Sequence, residues 1–415
     1  MNVVLVNADD GIGGAARACY RLHRGLLAQG VDSTLLVRIK RGDDDTVRGP
    51  KGFFRTSAAR LRPYAAAPLL RLSSHEMSGV HSLNVVPTNM LRRITAQRPD
   101  LVHLHLLSKE TLSIREVGRI ASPVIWTLHD MWTFCGTEHY TRDDPGARFR
   151  TGYERGTLER VRRGIDLDRW TWKRKRRHWD TERMTVITPS RWMADCARES
   201  ALFGASRIEV IPNGVDTQVY KPIDRQVARH ILNLPADRKL ILFGAMRATS
   251  DRRKGFQYLK AALERLAATP VGGEVDLVIF GSSAPQSPDS FGLPAHYTGR
   301  VSDEVTLSLL YAAADVFVAP SRQDNLPNTV VEALACGTPC VAFRIGGMPE
   351  MIAHEENGYL AEPFDPDDLA RGLGWVLEDE TRAGRLAEQA RATVLSTFTI
   401  EQQAKATSAL YRELI

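Results

Sequence analysis

Short runs of apolar residues alternate along this chain with longer stretches in which apolar positions recur every three or four residues. Residues 3–6 form an unbroken apolar run, as expected of a strand buried on both faces. Glycines at 11, 13 and 14 follow. Residues 15–29 then carry a helical pattern, with Leu22, Leu26 and Leu27 inward and Gly30 as its cap. Residues 31–37 read as the next strand. Strand, helix and strand in this order predict a parallel pair joined by a crossover. Further strands are expected at 101–106, 124–128, 186–189 and 208–211. Residues 41–91 are rich in Arg, Ser and Pro and predict loops and short helices. Residues 140–168 are polar and read as extended surface, and 170–183 as a very basic helix.

The pattern then restarts. Strands are expected at 240–243, 275–280, 316–318 and 340–343, with helices at 256–267, 305–314, 327–335, 369–377, 381–395 and 400–414. Each half alternates strands and helices, so the fold class is α/β with two doubly wound parallel sheets. The turn-rich stretch 211–216 is the expected seam, which gives a first domain over 1–215 and a second from 216 onward. At 415 residues the chain is too long for one ordinary core, and two domains of roughly 200 residues are expected.

Composition narrows the function classes. Hydrophobic residues make up 43% and charged residues 25%, which fits a folded globular protein and not a disordered one. A net charge of +6 favours anionic ligands without indicating nucleic acid. The five cysteines, at 19, 135, 196, 336 and 340, show no disulfide framework, so a cytoplasmic setting is expected. No signal peptide or membrane-spanning run is read, which leaves peripheral contact at the inner membrane face as the one membrane alternative. Trp170, Trp172 and Trp179 among the cations of 170–179 can serve it, or can anchor a core helix with a solvated basic side.

The residues with chemistry to offer cluster in a few places. Asp324 and Glu332 bracket a predicted helix start that contains Asn325, Leu326, Pro327, Asn328 and Thr329. Amides at a helix start suit a phosphate, and carboxylates suit sugar hydroxyls. Together they describe a nucleotide sugar. Lys254, beside Gly255, and Arg247 lie on the loop after a strand and can stabilise a departing diphosphate. Gly13 and Gly14, with Arg17 one turn on, form a glycine turn where an anion can approach. His129 and Asp130 end another strand, a common place for α/β sites. His103 and His105 share a strand face, but no third ligand is placed, and no metal site is expected.

With these segments in view, the chain resembles the retaining glycosyltransferases of family 4 (GT4), which have the GT-B architecture. The resemblance rests on GGAARACYRLHRGL, IWTLHDMWTF, ITPSRWMADCARES, EVIPNGVDT and DNLPNTVVEALACGTPCVAF. It implies two Rossmann-like domains facing across a cleft, over 1–215 and 216–396, with a last helix, 397–415, returning to the first domain. It also implies roles. Asp324 contacts donor-sugar hydroxyls, Glu332 the ribose, and Asn325 to Thr329 the distal phosphate. Lys254 and Arg247 face the diphosphate, and Arg300 and Val301 receive the base. His129 lies near the donor sugar, Gly13 and Gly14 face the diphosphate and acceptor, and Arg17 and Asp130 lie on the acceptor side. Asp324 stands where most relatives carry Glu, and the stretch after His129 keeps only Cys135 of the cysteines common in the bacterial glycan-building group.

The expected function is therefore a metal-independent, retaining hexosyltransferase of bacterial glycan or natural-product biosynthesis. It needs no cofactor, and its donor is a UDP- or GDP-type sugar. The acceptor hydroxyl belongs to a lipid-linked glycan or a small molecule, and nucleic acid is not a partner. A nucleotide-sugar epimerase on the same fold and a non-catalytic nucleotide-sugar binder are the alternatives.

Overall fold

The structure, a computed structural model, describes residues 1–73, 79–157, 163–244, 251–281, 291–301 and 303–415. The chain folds as two compact units: Met1–Pro212 together with Gln403–Ile415, and Asn213–Gln402.

The first unit holds seven strands: β1 (Asn2–Asp9), β2 (Asp32–Ile39), β3 (Val47–Arg48), β4 (Leu101–Leu104), β5 (Val124–Thr127), β6 (Met184–Thr188) and β7 (Arg207–Val210). All pairs are parallel, in the order β3-β2-β1-β4-β5-β6-β7, so the winding reverses between β1 and β4. Successive side chains serve opposite faces. Val3 and Leu5 pack with Leu22 and Leu26 of the helix Gly14–Ala28, while Val4 and Val6 pack with Trp126 and Met193. Both faces are covered, which is why the run is continuously apolar.

The C-terminal helix, Ile400–Leu414, belongs to this unit from Gln403 onward. Its Ala404, Leu410 and Tyr411 join the layer formed by Val3, Leu5 and Leu22. The Ser408 hydroxyl donates to Gln29 Oε1 at 3.2 Å, and the Tyr411 hydroxyl meets His103 Nδ1 at 2.6 Å. This is the return to the first domain implied by the resemblance.

The second unit holds six parallel strands: β8 (Lys239–Gly244), β9 (Val275–Phe280), β10 (Ala295–Gly299), β11 (Val316–Ala319), β12 (Cys340–Phe343) and β13 (Gly358–Ala361). Their order is β10-β9-β8-β11-β12-β13, with the reversal between β8 and β11. Leu240 and Leu242 enter one apolar layer, and Ile241 and Phe243 the other.

Two expectations need correction, and one open alternative is narrowed. The region expected to hold only short helices contains an 18-residue helix, Phe53–Leu70, with Pro63 and Pro68 inside it. Pro63 has no N–H to give the carbonyl of Ala59. Arg38 Nη1 donates to that carbonyl instead, at 2.8 Å, so the helix survives on a tertiary hydrogen bond. The polar region expected at the surface buries Phe149 and Tyr153 completely, and Asp168 almost so. In the basic helix, Leu167–His178, Trp172 is buried and Trp179 caps it as a buried residue; Trp170 is exposed. Two of its three tryptophans are thus core anchors, and membrane contact here would rest on Trp170 and the exposed cations alone. Among the described residues no helix is long and apolar enough to cross a membrane.

Candidate functional site

In the second unit the winding reverses between β8 and β11, and ligands of such sheets bind beyond the carboxyl ends of the strands at that point. Lys254 lies on the loop after β8, and Asp324 on the loop after β11. The chain presses these loops together. Arg252–Lys254 is a single helical turn ended by Gly255 at φ 70°, where a Cβ would sit 1.8 Å from the Pro320 carbonyl oxygen. Only glycine allows this approach. Arg322 N donates to the Arg253 carbonyl at 2.8 Å across the same contact.

Asp324 is held from several sides. Lys254 Nζ donates to its Oδ2 at 2.6 Å, Ser321 Oγ donates to the same oxygen at 3.1 Å, and Arg253 Nη1 lies 3.2 Å from Oδ1. Gly347 N donates to the Asp324 carbonyl at 3.2 Å, so the Gly346–Gly347 turn is part of the same assembly. Burial alone would raise the Asp324 carboxyl, but Lys254 and Arg253 bring it down to about 2. Burial lowers the Lys254 ammonium, and Asp324 opposes that shift. The pair is charged, enclosed and fixed in position.

The helix Asn328–Ala335 follows immediately. Pro327 is its cap and lies just outside it, not inside as expected, at φ −65° and ψ 119°. The amides of Asn328 and Thr329 belong to the set a helix leaves without an intrahelical carbonyl. Glu332 is 1% exposed and accepts from the Tyr311 hydroxyl at 3.0 Å. Asn325 and Leu326 are buried, and Thr329 is half-buried. Arg300 is exposed at the end of edge strand β10, and Val301 packs against the layer that contains Leu326. Among the described residues no hydrogen bond or ion pair joins Arg300 to the Lys254–Asp324 pair. Arg247 lies outside the described residues.

The first unit repeats the logic at the ends of β1, β4 and β5. Gly13, at φ 98°, caps the helix Gly14–Ala28; a Cβ there would meet nothing within 4 Å, so the constraint is conformational. Asp9 Oδ1 accepts from Gly11 N at 3.0 Å and Ile12 N at 2.9 Å, shaping this turn. Arg17, one turn on, is half-buried. Beyond β5, Asp130 Oδ2 meets His139 Nδ1 at 2.6 Å and Asp130 Oδ1 accepts from Trp132 N at 3.0 Å. Burial raises the Asp130 carboxyl, but His139 outweighs it, and the net direction is down. His129 Nε2 lies 3.0 Å from His105 Nδ1, the two rings stacked. Burial holds the His129 imidazole down at about 4, so it is neutral at ordinary pH. His105 Nε2 is buried without a hydrogen-bond partner among the described residues. A bare lone pair there costs less than an unpaired N–H, so His105 carries its proton on Nδ1 and donates to His129 Nε2.

Sequence reasoning missed or underweighted four contributors. Asp9 stands at the end of a strand, and Arg253 is, with Arg252, an alternative ligand to Lys254 in a run that reads equally well as solvated charge. His105 was taken as structural. Lys175 had no signal at all, because its partners are backbone carbonyls: its ammonium donates to those of Trp132, Cys135 at 3.0 Å and Gly136 at 2.8 Å. It also lies 3.8 Å from the centre of the Trp132 ring, and so clamps the loop that follows His129 and Asp130.

Similarity to known proteins agrees with this layout. The sequence profile of Glycosyltransferase Family 4 matches residues 12–219, and that of the Glycosyl transferases group 1 matches residues 237–379. A D-inositol 3-phosphate glycosyltransferase of Xylanimonas cellulosilytica is 36% identical over 231 residues, half of this chain and 53% of that protein. The protein of that name from Mycobacterium marinum is 28% identical over 86% of this chain and 72% of its own. Among solved structures, the sucrose-phosphate synthase of Thermosynechococcus elongatus superposes with a TM-score of 0.69 at 22% identity, covering 100% of this chain and 98% of that one. HepE of Anabaena, solved with UDP and glucose, gives 0.64 at 17% identity over 100% of both chains. Likenesses at such identity establish the GT-B fold, and the profile over residues 12–219 establishes the family. The chain belongs to the family 4, group 1 glycosyltransferases, enzymes that transfer a sugar from a nucleotide sugar.

Proposed function

We propose that this protein is a retaining, metal-independent hexosyltransferase that moves a sugar from a nucleoside diphosphate sugar to an acceptor hydroxyl in bacterial glycan or natural-product biosynthesis. One observation carries the reading: the enclosed Lys254–Asp324 pair, with Arg253 beside it, at the reversal of the second sheet and directly before a helix start. Breaking the sugar–phosphate bond leaves extra negative charge on the diphosphate. A fixed cation and helix-start amides of Asn328 and Thr329 oppose it without a metal. Asp324 orients Lys254 and offers an acceptor to donor-sugar hydroxyls, and Glu332, held by Tyr311, serves the ribose. Arg300 and Val301 are assigned to the base. In the first unit the neutral His129 is assigned to the donor sugar, and Gly13, Gly14, Arg17 and Asp130 to the diphosphate and acceptor side. Attack from the face the diphosphate leaves gives retention, with the leaving phosphate oxygen taking the acceptor proton. HepE, solved with UDP and glucose and with UDP-glucose, makes UDP sugars the first donors to try.

The test is nucleotide release from a panel of UDP and GDP sugars, with the anomeric configuration of the product read by NMR. Lys254→Ala is expected to lower kcat by about 100-fold while the donor Kd moves by less than about tenfold. An unchanged kcat overturns the role of Lys254. An inverted product overturns retention, and loss of activity in EDTA overturns metal independence.

A further inference from the structure

The first unit contains a second concentration of cations that the transferase reading does not use. A small open pocket is lined by Arg38, Arg55, Arg62 and Arg93, with Asn89 among its polar members and no carboxylate among its described lining residues. Its construction follows from the fold. Arg38 is the penultimate residue of β2, so it stands at the carboxyl edge of the parallel sheet, the edge where such sheets take ligands. Arg55, Ala58, Ala59 and Arg62 recur at helical spacing and share one face of the helix Phe53–Leu70. The two alanines leave the hollow, and the two arginines flank it. Arg93, on the helix Met90–Ala96, closes the opposite side, held there by donating to the carbonyls of Val37 at 3.1 Å and Arg48 at 2.6 Å.

The arginines are short of counter-charge. Arg38 is 7% exposed, and its Nε is buried with no hydrogen-bond partner among the described residues. Its Nη1 is committed to Ala59, the carbonyl orphaned by Pro63. No ion pair to Arg38, Arg55, Arg62 or Arg93 occurs among the described residues. A buried guanidinium with an unpartnered Nε and no ion pair, lining one pocket with three like charges, is expensive unless an anion completes the site. Burial lowers the Arg38 guanidinium; Asp9 opposes that shift, Arg41 and Arg62 add to it, and burial also brings Arg93 down to about 10. Guanidinium forks match phosphate oxygens two at a time, which a lysine cluster would not do.

We propose that this pocket is a phosphate-binding site, separate from the nucleotide-sugar site of the second unit, that takes a phosphomonoester group. The group can arrive on a soluble phosphorylated molecule or on a lipid headgroup. The exposed Phe53, Phe54, Leu61 and Tyr64 on the same helix make the lipid source worth its own arm of the test.

The experiment uses the full chain saturated with UDP, so that the second unit cannot report the binding. Inorganic phosphate and glycerol 3-phosphate are titrated by calorimetry, and vesicles of phosphatidylcholine with and without phosphatidic acid are used in co-sedimentation. Arg55→Gln with Arg62→Gln is the test variant, because both side chains can change without opening the core; Arg38→Gln is the second. Saturable binding that weakens about tenfold or more in the double variant supports the site. If soluble phosphates show it, the ligand is a soluble phosphomonoester; if only phosphatidic acid vesicles show it, the source is a lipid. Binding unaffected by these substitutions, or no binding to either probe, overturns the proposal.

Discussion

Asp324 shows how a single side chain can join stability to chemistry. Its carboxyl lies at about 2, against roughly 3.9 for an unperturbed aspartate. A depressed carboxyl contributes stability above its unfolded value, and that contribution is lost as pH falls through the folded one. Asp324→Asn should therefore cost on the order of 2 kcal/mol at pH 7 and progressively less between about pH 4 and pH 2. Urea denaturation of both proteins across that range checks it; a gap that does not change with pH would remove the ion pair as the cause. The carboxylates at 324 and 332 and the cation at 254 were legible in the sequence because their spacing and flanking glycines carry chemical meaning. Arg253 was not, because whether an arginine in a charged run turns inward is decided by the loop it lands against.

At the scale of elements, most strands and helices announced themselves by period. β12 and the C-terminal helix begin and end where the pattern predicts. The failures share one cause: structure held by contacts remote in sequence. The helix Phe53–Leu70 contains two prolines that argue against it locally, and Arg38 supplies the donor that Pro63 lacks. The loop after β5 is likewise held from afar: Lys175, 39 to 43 positions away, ties three of its carbonyls into the interior. Lys175→Met should leave those carbonyls without a donor and destabilise the protein by about 2–4 kcal/mol. The m-value should stay constant in a denaturant melt. A loss under about 0.5 kcal/mol would mean the loop is held by its ring packing instead.

For the molecule as a whole, the chain's last thirteen residues close the core of the unit in which the chain begins. Val3, Leu5 and Cys19 lie in one layer with Ala404, Leu410 and Tyr411. Tyr411→Phe removes the hydroxyl that meets His103 and should cost about 1–2 kcal/mol. Thermal melts should register the loss as a lower midpoint, and an unmoved midpoint would mean that the hydroxyl adds nothing there.

Hydrophobic period alone dictated two parallel α/β sheets, because a strand covered on both faces must be apolar at every position and a crossover must carry a helix. Residue chemistry and motif together pointed to a nucleotide-sugar transferase. What lay beyond reach was the set of groups that meet only once the loops pack: Arg253 against Asp324, His105 against His129, Lys175 inside its cage of carbonyls, and four arginines around one hollow. Their partners are far apart along the chain, and nothing in a local pattern encodes a distance across a sheet.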